Sequence, residues 1–164
     1  MIKSSIKASL LSVSLLLVAC TTATNLHQPA AQLSHELAGS GAHVVEHGQD
    51  VRVTLLVDNT FIKGTSRLTP IALRSLGQVV LLMHKYTSLH IRIEAYTDNR
   101  GKPKTNQLIT LRRAMAVADY FRNHGIDSGR IEMAGMGSAD PAASNGTANG
   151  RQLNRRVELT LFNP

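Results

Sequence analysis

The order of elements along this chain predicts an α/β (α+β) two-layer sandwich, β-α-β-α-β-β, with a mixed four-stranded sheet and two main helices. Three observations carry that prediction. Two long segments repeat their apolar residues at spacings of three and four, as a helix with one buried face does. Short β-branched runs lie before, between and after them. A long polar stretch precedes the last run, so that strand returns antiparallel to its neighbour. Trp is absent and aromatics make up only 4% of the sequence, so the core is aliphatic.

The chain begins with a targeting pattern. Lys3 and Lys7 form a positive region, and the apolar run from Ala8 to Val18 is too short to cross a bilayer. Leu17-Val18-Ala19-Cys20 resembles a bacterial lipobox, in which the Cys becomes the acylated first residue of the mature protein. Residues 1–19 are therefore expected as a lipoprotein signal peptide, with Cys20 carrying the lipid, palmitate included. Thr21 follows; an Asp there tends to retain lipoproteins of enteric bacteria in the inner membrane, so Thr21 points to the outer membrane. Cys20 is the only cysteine, which excludes an intramolecular disulfide. Residues 20–48, rich in Thr, Ala, Gln, His and Gly, are read as a flexible tether with a possible short helix from Gln32 to Ala38. Residues 49–164 form the folded domain.

Val51 to Val57 is apolar and β-branched, and is the first strand. Asp58 to Leu68 reads as a loop. Thr69-Pro70 is an N-cap followed by Pro at the first helical position. Leu73, Leu76, Val80 and Met83 then mark a helix over about 70–85. Leu89 to Tyr96 is the second strand, and Asn99 to Pro103 a turn. A second helix spans about Thr105 to Asn123, with Leu108, Leu111, Met115 and Ala118 as its expected core stripe and Gly125 as its stop. Arg130 to Gly135 alternates as a strand, Gly137 to Gly150 reads as a long polar loop, and Arg155 to Phe162 is the final strand.

The formal charge is +7, and it falls to +5 when residues 1–19 are removed, because Lys3 and Lys7 leave with no acid. An exported lipoprotein does not routinely meet nucleic acid. Peptidoglycan and other anionic envelope polymers are the nearer partners, beside the plain alternative of solvated surface charge.

One pair of residues concentrates chemistry. Asp98 closes the second strand, where open α/β sheets bind ligands. Arg113 lies on the following helix. Asn106 precedes it by seven residues, so the two side chains point within about 20° of each other. The N-terminal half of that helix also offers unpaired N–H groups to a carboxylate. A carboxylate facing a guanidinium can hold a ligand with both an ammonium and a carboxylate. The same pair can equally be a salt bridge that locks helix to strand.

The ordered set Thr97-Asp98, Gly101, Asn106, Arg113-Ala114, then Gly135-Met136-Gly137, Pro141, Asn145, Thr147, Gly150-Arg151 and Asn154-Arg155-Arg156-Val157 resembles the OmpA-like peptidoglycan-binding domain, also found in peptidoglycan-associated lipoproteins. The resemblance runs from Phe61 to the C-terminus. It implies the OmpA C-terminal-like fold and a specific ligand, the diaminopimelate residue of the peptidoglycan stem peptide. In that family the aspartate and the helix arginine clasp the free amino-acid end of diaminopimelate, and these roles fall on Asp98 and Arg113. Thr97 and Asn106 would position the ligand or the loop. Arg155 would either line the site or blunt a sheet edge. The sequence departs from the family at Tyr96, often His, and at Thr105, often Tyr. Its turn is also more basic, with Arg100, Lys102 and Lys104 close to Asp98. Those cations would compete with a ligand ammonium or hold a second anion.

The implied protein is a non-enzymatic outer-membrane lipoprotein without cofactor, whose periplasmic domain ties the membrane, or an envelope complex, to the cell wall. The alternative is a structural subunit of an envelope-spanning secretion system that keeps the fold and little wall affinity. A third reading rests on His43-Val44-Val45-Glu46-His47, which matches a zinc-protease pattern. It lacks an evident third ligand and sits among Gly39, Gly41 and Gly48, so these histidines read as tether residues.

Overall fold

A computed structural model describes residues 27–164. The signal segment and Cys20 lie outside the described residues. Ten elements follow in order: α1 (His27–Glu36), β1 (His43–His47), β2 (Asp50–Leu56), α2 (Val57–Thr60), α3 (Pro70–Lys85), β3 (His90–Tyr96), α4 (Pro103–Asn123), β4 (Ile131–Gly137), α5 (Ala148–Asn154) and β5 (Arg156–Phe162). The predicted sandwich is present, with five strands in place of four, in the order β1-β2-β5-β3-β4. β3 and β4 are parallel, joined by the crossover helix α4, and every other neighbouring pair is antiparallel.

Side-chain alternation separates the two sheet faces. Val51, Val53, Leu55, Ile91, Ile93, Val157, Leu159 and Leu161 enter the aliphatic core with Leu76, Val79, Met83, Val117 and Phe121 from the helices. Arg52, Thr54, Arg92 and Glu94 alternate with these and lie on the other face. α3 has the expected bounds, and the Thr69 hydroxyl caps it by accepting from the Ala72 N–H at 3.1 Å.

Four expectations change. The residues read as tether carry α1 and β1 from His27 onward, and Ala30, Leu33 and Leu37 are buried in the core. Three apolar residues at that spacing gave a weak periodicity, yet they cover a sheet that α3 and α4 leave partly open. β1 joins β2 through Gly48-Gln49, with Gly48 at φ +64°, a turn that fits the twist of the flanking strands. The H-x-x-E-H segment is therefore a strand, where its two histidines lie about 13 Å apart, too far to share a metal as on one helix face.

The core stripe of α4 is also displaced. Leu108, Leu111 and Met115 are 47%, 37% and 43% exposed, while Asn106, Thr110, Ala114, Val117, Ala118 and Phe121 face inward. The cause is the closeness of α4 to β4. A Cβ on Gly135 would lie 2.3 Å from the Leu111 backbone nitrogen, so only short side chains fit between helix and sheet. Thr110 seals this contact, accepting from the Gly137 N–H at 2.9 Å, and Gln107 donates to the Gly135 carbonyl. The stripe of α3 changes less: Leu76, Val80 and Met83 are buried and Leu73 is exposed.

The long loop before the last strand contains α5, capped by Thr147 accepting from the Gly150 N–H at 3.0 Å. Its polar sequence gave no periodicity to read. Finally, β5 sits at the centre of the sheet between β2 and β3, so the Arg155-Arg156 step cannot blunt an edge. Arg156 is instead buried, its Nε bonded to Glu158 at 2.7 Å and its guanidinium stacked 3.9 Å over Tyr96.

Two outcomes follow from this packing. A chain beginning at residue 49 exposes the surface under Leu33 and Leu37. It should be less stable than a chain beginning at 27 by at least about 3 kcal/mol in urea unfolding, given roughly 1.5–3 kcal/mol per buried leucine. Gly135→Ala forces α4 off β4 and should cost about 3 kcal/mol, whereas Gly146→Ala should leave the midpoint within experimental error.

Candidate functional site

The site forms where β2 and β3 end and β5 begins. Asp98 lies two residues beyond β3 and is 7% exposed. Its Oδ1 accepts from the Arg100 N–H at 3.0 Å, a tight side-chain-to-backbone turn. Its Oδ2 accepts from Arg155 Nη1 at 3.0 Å. Arg155 precedes β5 by one residue, and its Nη2 donates to Asp58 Oδ2, also at 3.0 Å. One guanidinium thus bridges two carboxylates that are forty residues apart in sequence. The Asp58 hydrogen bond, with that to Asp98, holds Arg155 above the usual arginine range despite partial burial.

Arg113 stands beside this bridge with different surroundings. Its Nε and Nη1 are buried and have no hydrogen-bond partner among the described residues. Its guanidinium carbon lies 5.7 Å from the centre of the Phe61 ring. Burial lowers its pKa, and the neighbouring Arg155 charge lowers it further. A desolvated cation with idle N–H groups has a high affinity for an incoming anion. Arg113 and Arg155 share an open pocket of about 550 Å³ with Asp58, Phe61, Ile62 and Lys63.

The predicted residues thus take distinct places. Asp98 and Arg155 are in direct contact, and Arg113 joins Arg155 at the pocket wall. The alternative of a simple Asp98–Arg113 lock does not describe the geometry, because the Asp98 carboxylate is taken by Arg155. Asn106 is buried and its Nδ2 donates to the Asp98 carbonyl at 3.4 Å, so it holds the loop that carries the carboxylate. Thr97 is half-buried; its N–H donates to the Gly137 carbonyl at 2.8 Å and ties the end of β3 to the end of β4. Arg100, Lys102 and Lys104 are exposed, and the cation that reaches Asp98 is Arg155.

A second layer stiffens the rim. Asn154 is fully buried and exchanges hydrogen bonds with Ala143 in both directions at 2.9 Å. It also donates to Asn145 Oδ1 at 2.9 Å, and that same oxygen accepts the Asn99 N–H at 3.2 Å. The loop before α5 is thereby tied to the residue that follows Asp98. Sequence reasoning missed Asp58, Phe61 and Lys63. Only the antiparallel pairing of Leu56 with Arg156 brings Asp58 to Arg155, and nothing in the sequence announces that register.

Residues 60–155 match the OmpA family. The chain is 33% identical over 131 residues to the "Probable lipoprotein YiaD" of Escherichia coli, covering 80% of this chain and 60% of that protein. It is 36% identical over 94 residues to the peptidoglycan-binding protein ArfA of Mycobacterium tuberculosis, covering 57% of this chain and 29% of that protein. The chain therefore spans only part of the length of these relatives. Among solved structures, the cell wall anchor of the T6SS from Pseudomonas aeruginosa superposes with a TM-score of 0.72 at 25% identity, over 82% of this chain and 96% of that one. Fold, ordered motif and sequence match agree: the chain belongs to the OmpA family.

Proposed function

We propose that this protein binds peptidoglycan without covalent attachment, through the free amino-acid end of diaminopimelate, and ties the outer membrane to the cell wall. The observation that carries the reading is Arg113, a half-buried arginine whose buried Nε and Nη1 have no partner, beside the Arg155–Asp98 pair. The ligand carboxylate takes Arg113 in a bidentate fork that Lys could not reproduce. The ligand ammonium takes Asp98, in exchange for or beside Arg155 Nη1. Arg155, still paired with Asp58, then turns toward the same carboxylate. A zwitterion adds no net charge, so the pocket keeps its electrostatic balance. Each charge-assisted bond is worth roughly 1.5–3 kcal/mol. Part of that is spent on separating Arg155 from Asp98, so a single site binds modestly and many copies on one wall add avidity. The peptidoglycan-binding relative and the cell wall anchor with the same fold support this reading.

A second reading, a subunit of an envelope-spanning secretion system with little wall affinity, is favoured by two observations. Asp98 is already satisfied by Arg155, and the T6SS anchor shares the fold. Under either reading Cys20 is the lipid anchor.

Co-sedimentation with purified sacculi separates the two. Wild type should pellet with the wall, while Asp98→Ala and Arg113→Ala should bind at least about tenfold less, the loss expected from one charge-assisted bond. Arg113→Lys should fall between them. Equal retention of all four chains would discard this site, and no retention of the wild type would favour the secretion-system reading. Membrane fractionation tests the anchor: Cys20→Ser should move the protein from the membrane fraction to the soluble periplasm.

A further inference from the structure

Leu108, Leu111 and Met115 recur at helical spacing and form one exposed apolar stripe along α4. Met133, on the helix-bearing face of edge strand β4, widens it and is 37% exposed. The fold makes no use of this strip, because β4 lies too close to α4 to admit large side chains. The strip has charged ends. Lys104 lies one turn before Leu108 and Asp119 one turn after Met115, and both are exposed. Read along the helix the pattern is basic, apolar, apolar, apolar, acidic. Read backwards on another copy, it is its own complement.

We propose that a second copy of this chain docks here, through an antiparallel two-fold pairing of α4 with α4. With the axis between Leu111 and Arg112, Leu108 of each copy faces Met115 of the other, and the two Leu111 side chains meet near the axis. Lys104 faces Asp119 at both ends of a seam about 22 Å long. A parallel pairing would set lysine against lysine and aspartate against aspartate, so the charges select the antiparallel one. The contact is isologous and closes at two copies. Asp119 is bonded within its own chain to Arg122 at 2.9 Å, an exposed pair that leaves carboxylate lone pairs for the incoming lysine. Arg112 lies at the rim of the stripe, exposed, with its charge in solvent. Arg113 points about 160° away from the stripe centre, so pairing leaves both pockets open.

Cysteine cross-linking of the full-length chain in its membrane tests this. Leu111→Cys, close to the axis, should form a disulfide-linked dimer under mild oxidation at least tenfold more than Leu81→Cys, which is exposed on α3. Adding Lys104→Glu to Leu111→Cys should reduce cross-linking about tenfold, since two opposite-charge contacts become like-charge ones. Adding Asp119→Lys as well should restore it. Equal cross-linking at positions 111 and 81 would overturn the proposal. So would a Leu111→Cys product with the mass of a different partner, or failure of the double charge reversal to restore what Lys104→Glu removed.

Discussion

One guanidinium organises the working end of this domain. Arg155 holds Asp58 and Asp98 together at 3.0 Å each, and it can do so only because β5 is threaded between β2 and β3. The two aspartates lie just beyond the ends of β2 and β3, which are not neighbours. The central strand brings the cation between them, and without it the buried Asp98 carboxylate would lose its ion pair, whereas Asp58 is exposed. The loops beyond β2, β3 and β4 converge on the same point. Asn106 grips the Asp98 carbonyl, and Asn154 and Asn145 hold the following residue from the opposite side.

This arrangement also explains why Arg113 stands apart. A ring of two aspartates and one arginine is already satisfied, so a second arginine placed against Arg155 has nothing left to bind. It is partly desolvated, packed near Phe61, and repelled by its neighbour. A structural purpose would be better served by a neutral side chain of similar volume, since a buried unpaired charge costs several kcal/mol. That placement is what supports the anion-binding reading proposed above. A bound carboxylate would supply the hydrogen-bond partners that Arg113 Nε and Nη1 lack.

The helices α3 and α4 and the strands β2, β3, β4 and β5 were legible because apolar spacing reports the period of an element directly. Thr69-Pro70 gave the start of α3 to the residue. The stripe of α4 was misread for a physical reason: hydrophobicity marks a face, but the space between two elements decides which face turns inward. Here Gly135 lets backbone meet backbone, and Thr110, Ala114 and Ala118 outrank Leu108 and Leu111. β1 and α5 were illegible, and α1 was read only in part, as a short helix over Gln32–Ala38, because short or polar segments owe their structure to tertiary contacts rather than to their own pattern. At the site, Asp98 and Arg113 were legible through an ordered motif. Asp58 was not, because its role depends on strand pairing across about a hundred residues of chain. The basic turn drew attention by composition alone, yet its side chains are exposed and the partner of Asp98 comes from elsewhere.

The docking of α1 on the core has a consequence for distance. Under the proposal that Cys20 is the anchor, seven residues separate the lipid from His27, where the described helix α1 begins. Seven residues, fully extended, reach at most about 25 Å. A 28-residue free tether would have reached about 100 Å by the same geometry. Under that proposal the domain works close against the membrane surface, and a polymer bound to it is drawn in to meet it. A protein built this way acts as a short rivet that sets the spacing between two layers, rather than as a mooring line that follows them.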